Sequence, residues 1–523
     1  MKTKRGAPAA RESGLLLHLS SLPGPYGVGT LGGEADAFVD FLARAGQSVW
    51  QMLPVNPIGA GSSPYSTTCS FAGEPLFIDL EALARRGWLK KSELATARQS
   101  GTAKAHYGKA QKLRRRLLET AYGRAQADGW ESSRALGDFR KRAGAWLDDF
   151  TLFQALAAEH GTRDWTRWPA PLARREAKAM AAARRELAPV VGFETFLQAQ
   201  FDADWRLLRE RAHQAGVRLM GDLPIFVAHE SSDVWANQSS FLLDASGRPT
   251  HVAGCPPDAF NADGQLWGNA LYDWNALRKD GFGFWLRRLG RLFELFDSVR
   301  LDHFIGFRRY WKIPAKAKTA RNGVWTPAPG DELFATIERK LGRLDLVAED
   351  LGAVTPEVRL LRDKFDFPGM KVMQFAFDGS EEGATHRPHR FPAASVAYPG
   401  THDNDTARGW YAGLRRDERA KVDAYFGASA RDVPAAMIRA AMASAARLCV
   451  FPVQDVLGLD GKARMNVPGI AKGNWSWRLV DGQLKEEHAV WLRTLSEVFE
   501  RTGTVVINPS SSSHARSRSG ARG

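Results

Sequence analysis

The chain has 523 residues, 44% of them hydrophobic and 25% charged, which suits a large folded core and argues against a disordered or fibrous chain. Its 72 Lys and Arg against 58 Asp and Glu give a formal charge of +14, but the cations are scattered, with denser runs only in helix-like stretches such as 112–118 and 173–187, so no nucleic-acid partner is expected. Three distant cysteines, Cys69, Cys255 and Cys449, argue against a disulfide framework or a thiolate metal site, and no run approaches the ~20 apolar residues of a membrane span; a cytoplasmic protein is expected.

The first strand-like run is GLLLHLS at 14–20. It is too short, and too interrupted by His18, for a signal peptide. The GVGTLG at 27–32 has dinucleotide-loop spacing. SSLPGPY separates it from the preceding strand, however, whereas that fold needs the turn at once. A helix is expected over 33–45, then a strand in SVWQMLP at 48–54. About 160 residues follow before the next strand, and roughly 80–200 reads as a charged, mainly helical insertion. A helix at 194–215 leads to VRLMGDLP at 217–224. A helix at 276–296 precedes DSVRLDHF at 297–304. Helices at 331–342 and 355–365 bracket DLVAED at 345–350. MKVMQFAF at 370–377 and ASVAYPGTHD at 394–403 follow, and a helix at 434–447 precedes RLCVFPVQDVL at 447–457. Eight strands alternating with helices predict a parallel, closed (β/α)8 barrel, a TIM barrel with helical insertions. The barrel unit is expected over 14–509. The basic, core-poor tail at 510–523 is expected to be disordered.

Several strands end in a carboxylate, and in such a barrel those ends carry the active site. Arg300 and Asp302 share a face of their strand, and a guanidinium beside a carboxylate favours the ionised form that attacks an anomeric carbon. A structural ion pair is the plainer alternative. Glu349 ends DLVAED beside Asp350. Acidic neighbours would raise its pKa and keep a proton for a leaving oxygen, although Asp350 or Thr355 could simply cap the next helix. In GTHDNDT, Gly400 is read as permitting an unusual backbone, while His402 and Asp403 are placed to bond ring hydroxyls. An Asx turn accounts for the same residues. Asp222 stands at a fourth strand end. His386 and His389 have HxxH spacing but no acidic third ligand, and read as loop histidines. Trp235 and Trp267 lie in polar, Gly-rich surroundings unusual for a core and are candidates to stack on sugar rings.

Taken together, LHLSSLPGPYGVGTLG, WQMLPVNP, SSPYS, GDLPIFVA, DVWAN, VAGCPPDAFNADGQLWGNALYDW, VRLDHFIGF, AEDLG, GTHDNDT, QDVLGL, RMNVPG and NWSWR resemble the amylomaltase family, the disproportionating enzymes also called 4-α-glucanotransferases. The resemblance runs from about Gly14 to Pro509 and implies a (β/α)8 barrel with no separate C-terminal β-domain. It implies a retaining double displacement on α-1,4-glucans, with Asp302 as nucleophile, Glu349 as general acid/base and Asp403 as the carboxylate that distorts the ring. It further implies ring contacts by Arg300, His303, His402 and Asp222, and substrate contacts by Tyr65, Gln265, Trp267 and Asn474. Residues 252–269 match a mobile loop that covers the cleft and helps form cyclic products. Malto-oligosaccharides, amylose or glycogen-derived glucans are the implied substrates, with neither cofactor nor metal. Four positions depart from the family pattern: Cys255 stands for Val, Ala259 for an aromatic, Pro399 for a small hydroxylic residue and Leu19 for Pro. A retaining α-glucan hydrolase would use the same carboxylates and stays open at this stage, as does a non-catalytic glucan binder.

Overall fold

The computed structural model describes residues 10–99, 102–257, 261–427, 432–470 and 472–502. Ala259 and the tail at 510–523 lie outside them. Twelve strands are named: β1 Glu12–Leu16, β2 Val49–Gln51, β3 Arg218–Leu223, β4 His251–Cys255, β5 Gln265–Ala270, β6 Ser298–Leu301, β7 Arg309–Pro314, β8 Val324–Pro327, β9 Leu346–Ala348, β10 Gly369–Val372, β11 Ser395–Tyr398 and β12 Leu448–Pro452. Eight close into a barrel in the order β1-β12-β11-β10-β9-β6-β3-β2, and every pairing is parallel. These eight are the runs expected from sequence. Each is short and buried on both faces, because side chains fill the inside and helices cover the outside. The helix Ala188–Gln214 shows the outer packing: Trp205 is fully buried against Phe296 and donates its indole N–H to Leu295 O at 2.9 Å.

Between β2 and β3 the chain is mainly helical, with Tyr107–Ala127, Arg134–Ala143 and Ala145–Glu159 as its longer helices before Ala188–Gln214. The single helix expected at 276–296 is two, Trp274–Lys279 and Gly283–Leu295. Gly281 and Phe282 both take positive φ, 65° and 60°, and a residue in that left-handed region ends a helix. No helix among the described residues is long and apolar enough to cross a membrane.

The remaining four strands form a separate antiparallel sheet, ordered β5-β4-β7-β8. Its first hairpin comes from the connection between β3 and β6, its second from the connection between β6 and β9. The segment 252–269, expected as a mobile loop, contributes residues 252–255 to β4 and 265–269 to β5, with Cys255 paired to Gln265 across the hairpin. The sheet has its own small core of Val252, Ile313 and Ala320 under Trp311. Trp235, expected at a sugar site, is instead fully buried. It packs on Phe153 and Trp168, with the Arg175 guanidinium 4.3 Å from its ring centre, so the polar residues around it in sequence do not describe its surroundings in space.

Candidate active site

The acidic residues converge at the C-terminal end of the barrel. Asp222 lies in β3, Asp302 one residue past β6, Glu349 one residue past β9, and Asp403 in the turn after β11. In the sheet β6 sits between β3 and β9, which makes Asp222, Asp302 and Glu349 neighbours although they span 127 residues of sequence.

Arg300 is the centre of the group. Its Nη1 donates to both oxygens of Asp222, at 2.9 and 2.8 Å, and lies 2.9 Å from Asp302 Oδ1. Its Nε points at Met370 Sδ on β10, 3.4 Å away. The guanidinium and the Asp222 carboxylate are almost wholly buried, whereas 26% of the Asp302 side chain is exposed. The hidden carboxylate is thus fixed by its protein partners, whereas the more open one can reach a ligand. Tyr65 Oη donates to Asp222 Oδ2 at 2.8 Å. Burial raises the Asp222 carboxyl to about 6, with Asp302 adding to the rise while Arg300 and the Tyr65 bond oppose it. The β3 exit is held rigid from behind: Arg288, fully buried, donates to Pro224 O at 2.6 Å and Ile225 O at 2.9 Å.

Glu349 is fixed from its own side. Its Oε2 accepts from the His303 amide at 2.7 Å and its Oε1 from the Leu351 amide at 3.2 Å. Some of its surface still meets solvent, yet protein crowds it enough that burial pushes its pKa well above the usual carboxylate range. Asp302 and, more weakly, Asp350 push the same way, against Arg300 and the His303 amide. The sequence reading credited acidic neighbours; burial is the larger cause. Asp350 turns away, accepting from the Met370 amide at 2.7 Å and pairing with Arg362. Thr355 occupies the cap position of the helix Pro356–Lys364 without a side-chain cap bond.

His303 adopts φ 51°, ψ 54°, a costly conformation for a residue with a Cβ. It aims the backbone N–H at Glu349 and sets the imidazole edge-on against Trp267, centroids 4.9 Å apart. Its Nε2 is buried with no hydrogen-bond partner, and burial lowers the ring to about 4. Trp267 is 37% exposed and donates to Gln265 Oε1 at 3.1 Å. Both belong to β5, so the antiparallel sheet delivers one wall of the site.

The opposite wall holds His402, stacked on Tyr65 at 5.2 Å and 15°, with Asp403 beside it. Asp403 Oδ1 accepts from Asn466 Nδ2 at 2.6 Å, and Arg464 donates to Asp403 O at 2.7 Å. The turn is also held by its own polar side chains: Asn404 Oδ1 accepts from the Thr401 amide and hydroxyl, both at 2.9 Å, Thr401 Oγ1 accepts from the Asp403 amide at 3.3 Å, and Thr406 caps the helix Ala407–Gly413. Gly400 does not take a positive φ. It is glycine because a Cβ there would meet Gln374 Nε2 at 2.5 Å, and that amide donates to Asp405 O. Behind His402, the buried His18 is lowered to about 3 by burial and by the charge of His402.

Asn474 stands apart from the other predicted contacts. Its amide is spent on its own loop, with Val467 N, Val467 O and Ile470 O as partners. Two residues with clearer geometry went unnamed in the sequence reading. They are Asn466, which holds Asp403, and Trp475, 5.7 Å from Tyr65 and 6.1 Å from His402. Both lie inside motifs already singled out, RMNVPG and NWSWR, and Trp475 carries a positive φ of 65°. His386 accepts from the Val372 amide, while His389 bonds the Tyr425 hydroxyl; the two have separate structural partners.

Comparison with known proteins adds a consistent likeness. A family profile described as 4-alpha-glucanotransferase matches residues 17–483. The 4-alpha-glucanotransferase of Thermus thermophilus is 47% identical over 500 residues, covering 94% of this chain and 99% of that protein. Its counterpart in Synechocystis is 42% identical over 496 residues, covering 94% and 98%. Among solved structures, the amylomaltase from Streptococcus agalactiae in complex with acarbose matches with a TM-score of 0.91 at 35% identity, covering 94% of this chain and 100% of that one.

Proposed function

The chain belongs to the 4-alpha-glucanotransferase family, and from that premise we propose that it moves α-1,4-glucan segments from a donor malto-oligosaccharide or amylose to the free 4-hydroxyl of an acceptor sugar, by a retaining double displacement. The observation that carries this reading is the pair formed by Asp302 and Glu349 on adjacent strands. One carboxylate is half-open and ion-paired to Arg300; the other is held by two backbone amides and pushed to keep its proton. Two carboxyls in unlike environments suit a nucleophile and an acid, and retention needs them ~5–5.5 Å apart across the bond.

Asp302 attacks the anomeric carbon as Glu349 gives its proton to the leaving oxygen, forming a covalent glucosyl-enzyme. Glu349, now ionised, takes the proton of the incoming hydroxyl, which breaks the ester. Asp403 and His402 grip ring hydroxyls and bend the sugar towards the planar transition state. Asp222, Arg300 and His303 fix the ring at the cleavage point. Tyr65 and Trp267, on facing walls, offer aromatic surface to it, and Gln265 orients the Trp267 indole. Asn474 acts at one remove, shaping the loop that brings Asn466 to Asp403. Sugar outcompetes water where the sheet of β4, β5, β7 and β8 and the aromatic walls position an acceptor. Chain closure on the same intermediate would give cyclic glucans, and the cytoplasm is the proposed setting.

The test is product analysis after incubation with maltotriose. Free glucose together with longer oligomers is expected. Only shorter sugars, with one new reducing end per bond cleaved, would make the protein a hydrolase.

A further inference from the structure

A second polar groove opens on the helical segment between β2 and β3. It has a volume of about 530 Å³ and is lined in part by Arg115, Gln154, Arg163, Glu194 and Glu230. Glu194, on the helix Ala188–Gln214, is only 5% exposed. Its carboxyl forms an ion pair with the Arg115 guanidinium at 3.8 Å but has no hydrogen bond from any described residue. Burial raises that carboxyl to about 7, against the pull of Arg115 and Arg163. Gln154 Oε1, in the same groove, is buried and has no hydrogen-bond partner either. A buried acceptor or acid left unbonded is costly, and native proteins leave few of them without a ligand or water to serve. Glu194 and Gln154 line the same groove, so polar groups with hydrogen-bonding capacity to spare are gathered at one place.

The lining says what kind of ligand fits. Two guanidiniums face two carboxyls, so a net anion or cation gains little. Apart from the side chains of Ala157 and Ala158 the groove is polar, which disfavours an apolar ligand. A sugar hydroxyl both donates and accepts: one hydroxyl can accept from Arg163 and donate to Glu194, and a neighbouring one can donate to Gln154 Oε1. The volume lies within the ~300–1,000 Å³ of small-molecule sites. The groove is also tied to the candidate active site. Trp165, two residues past Arg163, donates its indole N–H to His229 O at 2.9 Å, and Glu230 belongs to the segment that leaves β3 at Asp222.

We propose that this groove is a second carbohydrate site, which holds a segment of a long α-glucan while the chain end is worked in the barrel. The proposal rests on the glucan reading above and adds a place where chain length is sensed. Two variants test it independently. Gln154→Ala with Arg163→Ala removes polar contacts; Ala158→Trp leaves them intact and plugs the rim. Each is compared with the wild type for rate on maltotriose, KM for amylose, and retardation in amylose-containing gels. Unchanged maltotriose turnover with roughly ten-fold weaker amylose affinity is expected in both, from the loss of one or two hydrogen bonds in the first and from steric exclusion of the glucan segment in the second. Unaltered amylose KM and retardation would overturn the second site and leave the glucan reading standing. No turnover of maltotriose or amylose by the wild type would instead overturn the glucan reading, and this site with it.

Discussion

Asn466→Ala tests how Asp403 is held. The Asn466 amide donates to Asp403 Oδ1 at 2.6 Å, and Asn466 itself is 8% exposed. Hydrogen bonds to charged groups contribute ~1.5–3 kcal/mol. Because 42% of the Asp403 side chain is open to water, solvent recovers part of the loss, and the lower end applies. About 1.5 kcal/mol corresponds to roughly a ten-fold fall in rate. If Asp403 acts by bending the ring, the loss belongs to the transition state and appears in kcat and kcat/KM together, with little change in KM. Arg464 still spans Asn466 O and Asp403 O in the variant, so the backbone of both residues keeps its brace. The assay is the initial rate of glucose release from maltotriose across a concentration series, with a melting curve as control. The decisive comparison is a double-mutant cycle with Asp403→Ala: once the carboxylate is gone, removing Asn466 should cost almost nothing further. A kcat within two-fold of wild type, or fully additive losses, would refute the reasoning.

Asp302→Asn should abolish transfer while oligosaccharide binding, read by calorimetry, stays measurable; wild-type-like turnover would overturn the nucleophile assignment. Glu349→Gln should be severely impaired with sugar acceptors, yet azide should restore turnover of donors that carry a good leaving group, giving a glycosyl azide with retained configuration. Glu349 has its pKa raised above the ordinary carboxylate value, so the acid form persists to higher pH than in an ordinary carboxyl and is lost as pH rises through the raised value. The basic limb of kcat/KM should therefore report Glu349 and disappear in Glu349→Gln, and a basic limb that survives would assign it to another group. Asp455 is 2% exposed, bonds the Ala407 amide at 2.7 Å with one oxygen and leaves the other buried and unpartnered; burial raises it to about 7. Its folded pKa lies above its unfolded one, so its stabilising contribution is full below pH ~4 and declines as pH rises towards 7, by up to about 4 kcal/mol. Asp455→Asn should raise the melting temperature at pH 8 more than at pH 4, and an equal shift at both would show that the unpaired oxygen costs nothing.

The barrel was legible because each of its strands is a short apolar run with turn chemistry at its end. Repeated eight times with helices between, that pattern has few other closures. The antiparallel sheet was not, and its burial explains why. The central residues of β5 are exposed, and so are both ends of β8, so neither shows the alternation that marks a half-buried strand. Their Gly and Pro content reads as loop. At the site, residue types were visible and partners were not. Tyr65 bonds Asp222 across 157 positions, and Asn466 reaches Asp403 across 63. No local periodicity carries such pairs. Gly400 and Trp235 failed for the same reason: the atoms that decide their roles, Gln374 for one and Phe153 with Trp168 for the other, are brought up by distant parts of the chain.

Charge in the site makes one argument of these contacts. Asp222 and Asp302 share the single guanidinium of Arg300, and Glu349 is pushed to stay protonated before reaction. Two carboxylates against one cation leave a local excess of one negative charge, held away from water where it acts strongly. Such an excess is expensive in the resting protein, and burying Asp222 against Arg300 is not in itself a source of stability. It becomes favourable when a sugar ring approaching an oxocarbenium ion brings positive charge to the anomeric carbon, because the opposing charge is then already in place. In the proposed reaction Glu349 gives up its proton at the same moment, adding negative charge as the leaving oxygen departs. The pKa of Glu349 and the sharing of Arg300 are thus two sides of one arrangement. A second cation beside Asp302 would make the folded protein more stable and the reaction slower.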